Sequence, residues 1–233
     1  MNSGNKNKNK KMNIIITGAS RGIGKELSLN FLEKGHSVFG LSRSEKLLQE
    51  VSNEKKYYYQ NIDLSNSEEI KSLKIPFDKV DILINNAGIL INKPFDELTE
   101  IDFINSLKVN YLAPITLIQT LKEYFTKNAH IVNISTMGAI QGSVKFSTLS
   151  AYGGSKAALC HLTEILSEEY KDTGIAINCL ALGAVQTEML ESAFPDFKAT
   201  ISAKEMASFI VDFSLKGNKF FNGKIIPVSS STP

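Results

Sequence analysis

The sequence has little from which to build a metal centre or a disulfide framework. Its 233 residues include two cysteines and three histidines. Cys160 and Cys179 stand apart in apolar-patterned segments, which predicts buried, reduced thiols and a reducing compartment, the cytoplasm. His36, His130 and His161 match no ligand spacing, so no metal is expected. An excess of one charge is also missing. Lys and Arg number 26 against 24 Asp and Glu, for a net charge of +2, which gives no long-range pull toward nucleic acid or a membrane surface. No apolar run approaches the length of a membrane span. The opening MNSGNKNKNKKM lacks the apolar stretch of a secretory signal, so export is not expected, and residues 1–12 read as a disordered Asn/Lys-rich tail.

What is present is a strict alternation. Short β-branched runs predict strands at 13–17, 36–42, 56–62, 80–86, 130–135, 175–182 and 223–228. Between them, helical periods cover the segment after the first strand (Ile23, Leu27 and Phe31, stopping at Gly35), then 101–125, 152–170 and 203–215. Near-continuous apolar strands alternating with helices predict an α/β chain, a doubly wound parallel sheet of about seven strands covered on both faces. No interior linker or short repeat appears, so residues 13–233 read as one domain.

Where the first strand meets the first helix the chain reads TGASRGIG (17–24). Gly18 permits a tight turn, Gly22 removes a side chain where a diphosphate would approach the backbone, and Gly24 lets helix and strand pack closely. The free N–H groups and partial positive charge of the helix N-terminus complete an anion cradle. Further on, SAYGGSKAALCHL (150–162) places Tyr152 and Lys156 one helical turn apart on one face. A free phenol titrates near ~10, and a nearby ammonium lowers that value by favouring the phenolate. The two intervening glycines cost about 1 kcal/mol each relative to alanine in a helix interior. That cost suggests that a bound ribose or a facing helix comes too close for side chains at 153 and 154.

The spacing Gly-x-x-x-Gly-x-Gly, together with Asp63-Leu64, NNAG (85–88), Asn110 and Tyr152-x-x-x-Lys156 in that order, resembles the short-chain dehydrogenases/reductases over about residues 13–228. The resemblance implies a Rossmann-like fold and hydride transfer between a nicotinamide and a carbonyl or secondary alcohol. Tyr152 would be the general acid/base, and Lys156 would also bind the nicotinamide ribose. Asn110 would hold a water that links the lysine to solvent; alone, it would read as a polar residue tolerated mid-helix. It also implies that Asp63 bonds the adenine amino group while Leu64 and the backbone of Asn86, Ala87 and Gly88 wall the adenine and ribose. The cap of the helix beginning near SNSEEI is the alternative role for Asp63. Ser20, Arg21 and Ile23 of the glycine loop join this nucleotide-binding set. Ser42 and Arg43 occupy the end of the second strand, where an aspartate would bind the ribose hydroxyl of NAD. With Arg21 they favour the 2′-phosphate of NADP(H), with NAD(H) possible and solvated surface charge as the plain alternative.

Two departures from the family pattern stand out. The orienting serine is replaced by Thr136 in the pair Ser135-Thr136, so Ser135, Thr136 and Ser147 are candidates and Thr136 is preferred. After the sixth strand Leu182 replaces a proline, which predicts a looser turn ahead of Gly183. Val185 and Thr187 still stand where the family contacts the nicotinamide. The segment 188–201 is short for a substrate lid, so the pocket is expected to be open on that side. The expected protein is an NADP(H)-dependent oxidoreductase of a small carbonyl or alcohol. A 3-oxoacyl-thioester reductase and a non-catalytic dinucleotide-binding sensor or scaffold are the alternatives. The resemblance further implies a homodimer or homotetramer formed through the two long helices.

Overall fold

The computed structural model describes residues 11–44 and 56–229; the Asn/Lys-rich opening through residue 10 lies outside them. Strands β1 (Asn13–Thr17), β2 (Ser37–Ser42), β3 (Tyr57–Asn61), β4 (Val80–Asn85), β5 (Phe125–Thr136), β6 (Ala176–Leu182) and β9 (Ile225–Val228) form one sheet in the order β3-β2-β1-β4-β5-β6-β9. Every pairing in it is parallel. A separate two-residue pair joins β7 (Val185–Gln186) to β8 (Ile201–Ser202). The strand order reverses between β1 and β4, and in such sheets ligands bind at the carboxyl ends beside that switch.

Side-chain alternation along each strand divides the core in two. Ile14 and Ile16 of β1 face a cluster with Leu27 and Phe31 of α1 (Gly22–Glu33) and Ile210 and Val211 of α7 (Ala203–Lys216). Ile15 faces the opposite cluster, with Leu117, Ile118 and Leu121 of α4 (Ala113–Leu121). Gly35, at φ +85°, turns the chain out of α1, and its N–H donates to Leu32 O at 2.8 Å. Met12, grouped with the tail by its composition, is already tied in: its carbonyl accepts the Ser37 N–H at 3.0 Å.

The sequence-predicted helix over 101–125 is divided. It comprises α3 (Glu100–Leu107), a π-turn (Lys108–Leu112), α4 and a short 3₁₀ turn, and Phe125 already pairs with Val80 in the sheet. The short helix α6 (Glu188–Ala193) was not predicted, while α2 (Ser67–Lys71) is the helix expected near SNSEEI. The last long helix, α5 (Ser150–Glu169), packs on β5 and β6. No described helix is long and apolar enough to cross a membrane.

At Gly24 the first helix lies close against the glycine loop. A Cβ there would lie 2.1 Å from Gly18 O and 2.7 Å from Asn86 Nδ2. Alanine normally favours a helix over glycine by about 1 kcal/mol. Here the clash with backbone reverses the sign: Gly24→Ala is expected to lower the unfolding free energy by about 1–3 kcal/mol in urea titration.

Candidate active site

The carboxyl ends of the central strands open into a cleft of about 620 Å³. At one end is the glycine loop. Gly18 (φ +69°) and Gly22 (φ +52°) adopt left-handed backbone that favours glycine. A side chain on Gly18 would also run into Ala87 Cα at 3.0 Å. Thr17 organises this corner. Its hydroxyl accepts the N–H groups of Asn86 (3.0 Å) and Ala87 (2.9 Å), while Asn86 Nδ2 donates to Thr17 O at 3.0 Å. The sequence reading had passed over this threonine; the signal was its place as the last residue of β1, directly before Gly18. Arg21 precedes α1 without providing a side-chain cap, and no acidic residue lies in the first turn. The first N–H groups therefore keep their capacity for an anion. The carboxylate of Glu188, which the sequence reading had not singled out, comes to 3.4 Å from where a Gly22 Cβ would lie.

Ser20 Oγ meets Ser42 Oγ at 2.7 Å, which fastens the glycine loop to the end of β2. This contact brings the neighbouring Arg21 and Arg43 to one exposed rim of the cleft. No ion pair among the described residues engages either guanidinium. Asp63 and Leu64 also line the cleft. The cap alternative for Asp63 is set aside, because Asn66 caps α2 by accepting the Glu68 N–H. Asp63 instead accepts the Ser65 N–H at 2.9 Å. That bond chiefly holds its carboxyl below the usual carboxylate range, with Arg43 adding to the effect. Ile23, Asn86, Ala87, Gly88, Val185 and Thr187 reach the same cleft. Gly24 does not; it lies behind the loop as a packing residue. Thr187 Oγ1 accepts the Leu190 N–H at 3.3 Å and so caps α6.

At the other end, Thr136, Tyr152 and Lys156 converge. Lys156 is buried, and Nζ donates to Ile134 O at 2.8 Å. Ser135 Oγ returns a bond to Lys156 O at 3.1 Å and accepts from Cys160 Sγ at 3.2 Å. Both Ser135 and Thr136 line the cleft, but the Ser135 hydroxyl is engaged by α5, whereas Thr136 is half-buried at the cleft wall. Ser147 is exposed and does not line the cleft. Asn110 is 0 % exposed, in the middle of the π-turn. Its Oδ1 accepts the Ile89 N–H (2.9 Å), and Nδ2 donates to Ile89 O (3.0 Å) and Ser155 Oγ (2.9 Å). It is a strut between the β4–α3 connection and α5. A Cβ on Gly88 would lie 3.1 Å from Asn110 Oδ1 and 3.4 Å from Lys156 Nζ.

Further sequence expectations are corrected, in whole or in part. The Tyr152 phenol is not made more acidic in this geometry. Burial pushes it up to about 12 and pushes the Lys156 ammonium down to about 8, because the lysine aims at the Ile134 carbonyl and both groups are desolvated. No other part of the described chain approaches within 4 Å of a Cβ at Gly153 or Gly154, so no facing helix of this chain crowds them. They line a second cavity of about 350 Å³ instead. Leu182 does not loosen its turn; it continues β6 in register with Thr136 and Val228, and Gly183 N–H donates to Val228 O at 2.9 Å. Nor are the cysteines isolated: Cys160 and Cys179 lie with sulfurs 3.8 Å apart, both free and buried.

The segment after β7, expected to leave the pocket open, folds back over it. Gln186 holds the Ala199 N–H at 2.9 Å, Asn92 Nδ2 donates to Ala193 O at 2.6 Å, and Phe194 and Phe197 reach the cleft. The histidines take no part. His130, for example, is buried against Ser214 O and Asn178, and burial lowers its pKa to about 4.

The family profile described as short chain dehydrogenase matches residues 12–198. The chain belongs to the short-chain dehydrogenase family. An uncharacterised oxidoreductase of Thermotoga maritima is 32% identical over 186 residues, covering 76% of this chain and 73% of that one. The 3-oxoacyl-(acyl-carrier-protein) reductase of Escherichia coli is 28% identical over 196 residues, 82% and 80% of the two chains. Among solved structures, a short chain dehydrogenase from Shigella flexneri complexed with NADP superposes with a TM-score of 0.84 at 24% identity, covering 93% and 96%. A 4-hydroxyisoleucine dehydrogenase complexed with NADH gives 0.83 at 27% identity, covering 95% and 98%.

The buried ammonium of this short-chain dehydrogenase has a measurable cost. With a folded-state pKa near 8 against 10.5 for the free side chain, the unfolded chain binds more protons at Lys156 between those values. Its contribution to stability therefore rises with pH across that window. In paired urea titrations the stability of the parent relative to Lys156→Met is expected to rise from pH 7 toward pH 10.

Proposed function

We propose that the protein is an NADP(H)-dependent oxidoreductase that reduces a carbonyl to a secondary alcohol, with Tyr152 as the proton donor. The observation that carries this reading is the meeting, in one cleft, of the glycine cradle, the Arg21/Arg43 rim and the Thr136–Tyr152–Lys156 group. The residues fit a dinucleotide. The uncapped first turn of α1 suits a diphosphate, and the two guanidiniums suit a phosphate monoester on the adenosine ribose. Gly18, Ser20, Gly22, Ile23, Asp63, Leu64, Asn86, Ala87 and Gly88 would hold the adenosine half, and Lys156, Val185 and Thr187 the nicotinamide half. The bound nucleotide supplies a hydride.

The chain's own groups then manage the oxygen. Thr136 Oγ1 donates to the carbonyl oxygen and fixes its direction. The carbonyl oxygen would take the Tyr152 proton as the carbonyl is reduced to the alcohol, which leaves the product oxygen protonated and Tyr152 as the phenolate. A phenol held near 12 stays protonated at neutral pH, so Tyr152 carries the proton it would donate, while its raised value makes it a weaker acid than a free phenol. Lys156 and Asn110 keep the tyrosine's helix in position. The exposed Ile101, Ile104, Leu112 and Ile165 on α3, the π-turn and α5 support self-association as a dimer or tetramer, and the free buried thiols support a reducing compartment such as the cytoplasm.

Tyr152→Phe is expected to lower kcat by about 10²–10⁴ in NADPH-consumption assays while nucleotide affinity stays close to the parent's. Nucleotide binding by the parent without turnover on ketones, aldehydes, acyl thioesters or sugars would instead identify a sensor. Arg21→Ala and Arg43→Ala should each weaken NADPH binding about tenfold and leave NADH binding unmoved, by fluorescence titration.

A further inference from the structure

We propose that the substrate is an uncharged ketone or secondary alcohol carrying a hydrocarbon body, and that Phe146 and Phe197 select it. This inference rests on the oxidoreductase reading above and names the substrate class of the same cleft.

Three segments contribute to the walls around the Thr136–Tyr152 pair. Leu90 comes from the β4–α3 connection, Met137, Phe146 and Leu149 from the β5–α5 connection, and Phe194 and Phe197 from the segment after β7. None can bond a hydroxyl, carboxylate or phosphate through its side chain. Of the charged residues in these segments, Glu188 alone lines the cleft, and Lys145 borders the second cavity. Lys145 donates to Ile140 O and to Ser143 Oγ (2.7 Å). Lys93 pairs with Asp102 at 3.0 Å. Glu191 accepts from Gln186 Nε2 at 2.7 Å. Glu188 does reach the cleft, but its carboxylate stands over Gly22, at the glycine-loop end. Ser135 also lines the cleft, but its hydroxyl is engaged by Lys156 O and Cys160 Sγ, so Thr136 and Tyr152 are left as the polar anchors for a substrate, enough to fix one carbonyl oxygen. A sugar or a 2-oxo acid would bury further polar groups without partners, which is strongly unfavourable.

The two phenylalanines give the second argument. Phe146 is 53 % exposed and Phe197 51 % exposed, although both belong to the cleft wall. Phe146 and Leu149 also border the second cavity, beside Tyr152 and Thr136. Large apolar side chains left open on two segments that line one cleft mark a surface that gains by being covered. A hydrocarbon body lying between them would cover both.

The test is a homologous series of 2-alkanones from 2-butanone to 2-decanone, assayed with NADPH beside 2-oxo acids of matching length and a ketose. We expect kcat/KM to climb about two- to fourfold per methylene until the body is covered, and each 2-alkanone to exceed the 2-oxo acid of its length by at least tenfold. Phe146→Ala and Phe197→Ala should flatten the dependence on chain length, Phe→Leu at either position should restore most of it, and NADPH affinity serves as the check on folding. A flat series in the parent, or a 2-oxo acid or ketose preferred over the alkanones, overturns the assignment while leaving the oxidoreductase reading intact. An altered oligomeric state in the alanine variants with an unchanged chain-length dependence also overturns it, since the phenylalanines would then serve a subunit contact. Failure to bind either nucleotide, or no turnover of any carbonyl in the panel, overturns the oxidoreductase reading and this assignment with it.

Discussion

The junction between the end of β5 and the second turn of α5 is the constraint on which the site depends. Two bonds cross it in opposite directions: Lys156 Nζ to Ile134 O, and Ser135 Oγ to Lys156 O. A third, Asn110 Nδ2 to Ser155 Oγ, fastens the same turn from the other side. Each is buried, where a lost partner leaves an uncompensated polar group. Tyr152 is one turn earlier on this pinned helix, so its direction into the cleft is inherited from Lys156 and Ser155. The low-dielectric setting that makes the clamp strong also penalises the lysine's own charge.

The cleft changes character along its length. One end is built from backbone N–H groups, small residues and two guanidiniums; the other from thioether, leucine and phenyl side chains around two hydroxyls. The parallel sheet dictates this division. The connections leaving β1 and β2 gather at one side of the switch point and those leaving β5 and β6 at the other, so each set can specialise.

Much of this was legible in the sequence. β1 occupies the same five residues that the run NIIIT marks, and of the residues singled out for the site (Gly18, Ser20 to Gly24, Asp63, Leu64, Asn86 to Gly88, Asn110, Tyr152 and Lys156) all but Asn110 and Gly24 lie directly on the cleft wall. Those two lie just behind it, one as a strut and one as a packing surface, because spacing reveals proximity in the chain rather than depth. What periodicity could not reveal were long-range effects. The pairing of Phe125 with Val80 extends β5 backward into a stretch that reads as helix. Cys160 and Cys179 are brought together by the packing of α5 on β6. The Tyr152 proton affinity follows from burial, which a local motif does not encode, and the phenylalanines after β5 and β7 carry no motif at all.

The π-turn at Lys108–Leu112 admits one more residue than an α-turn, with Ala113 N–H donating to Lys108 O. An added residue advances the helical phase by about 100°. The stretch is therefore two helices with two allegiances: α3 packs against α5, whereas α4 turns its apolar side toward α2 and the sheet. Asn110 sits where the phase slips. A one-residue deletion there would regularise the backbone and, in doing so, swing one of the two flanking faces away from its partner, so local order and correct assembly make opposite demands on those five residues.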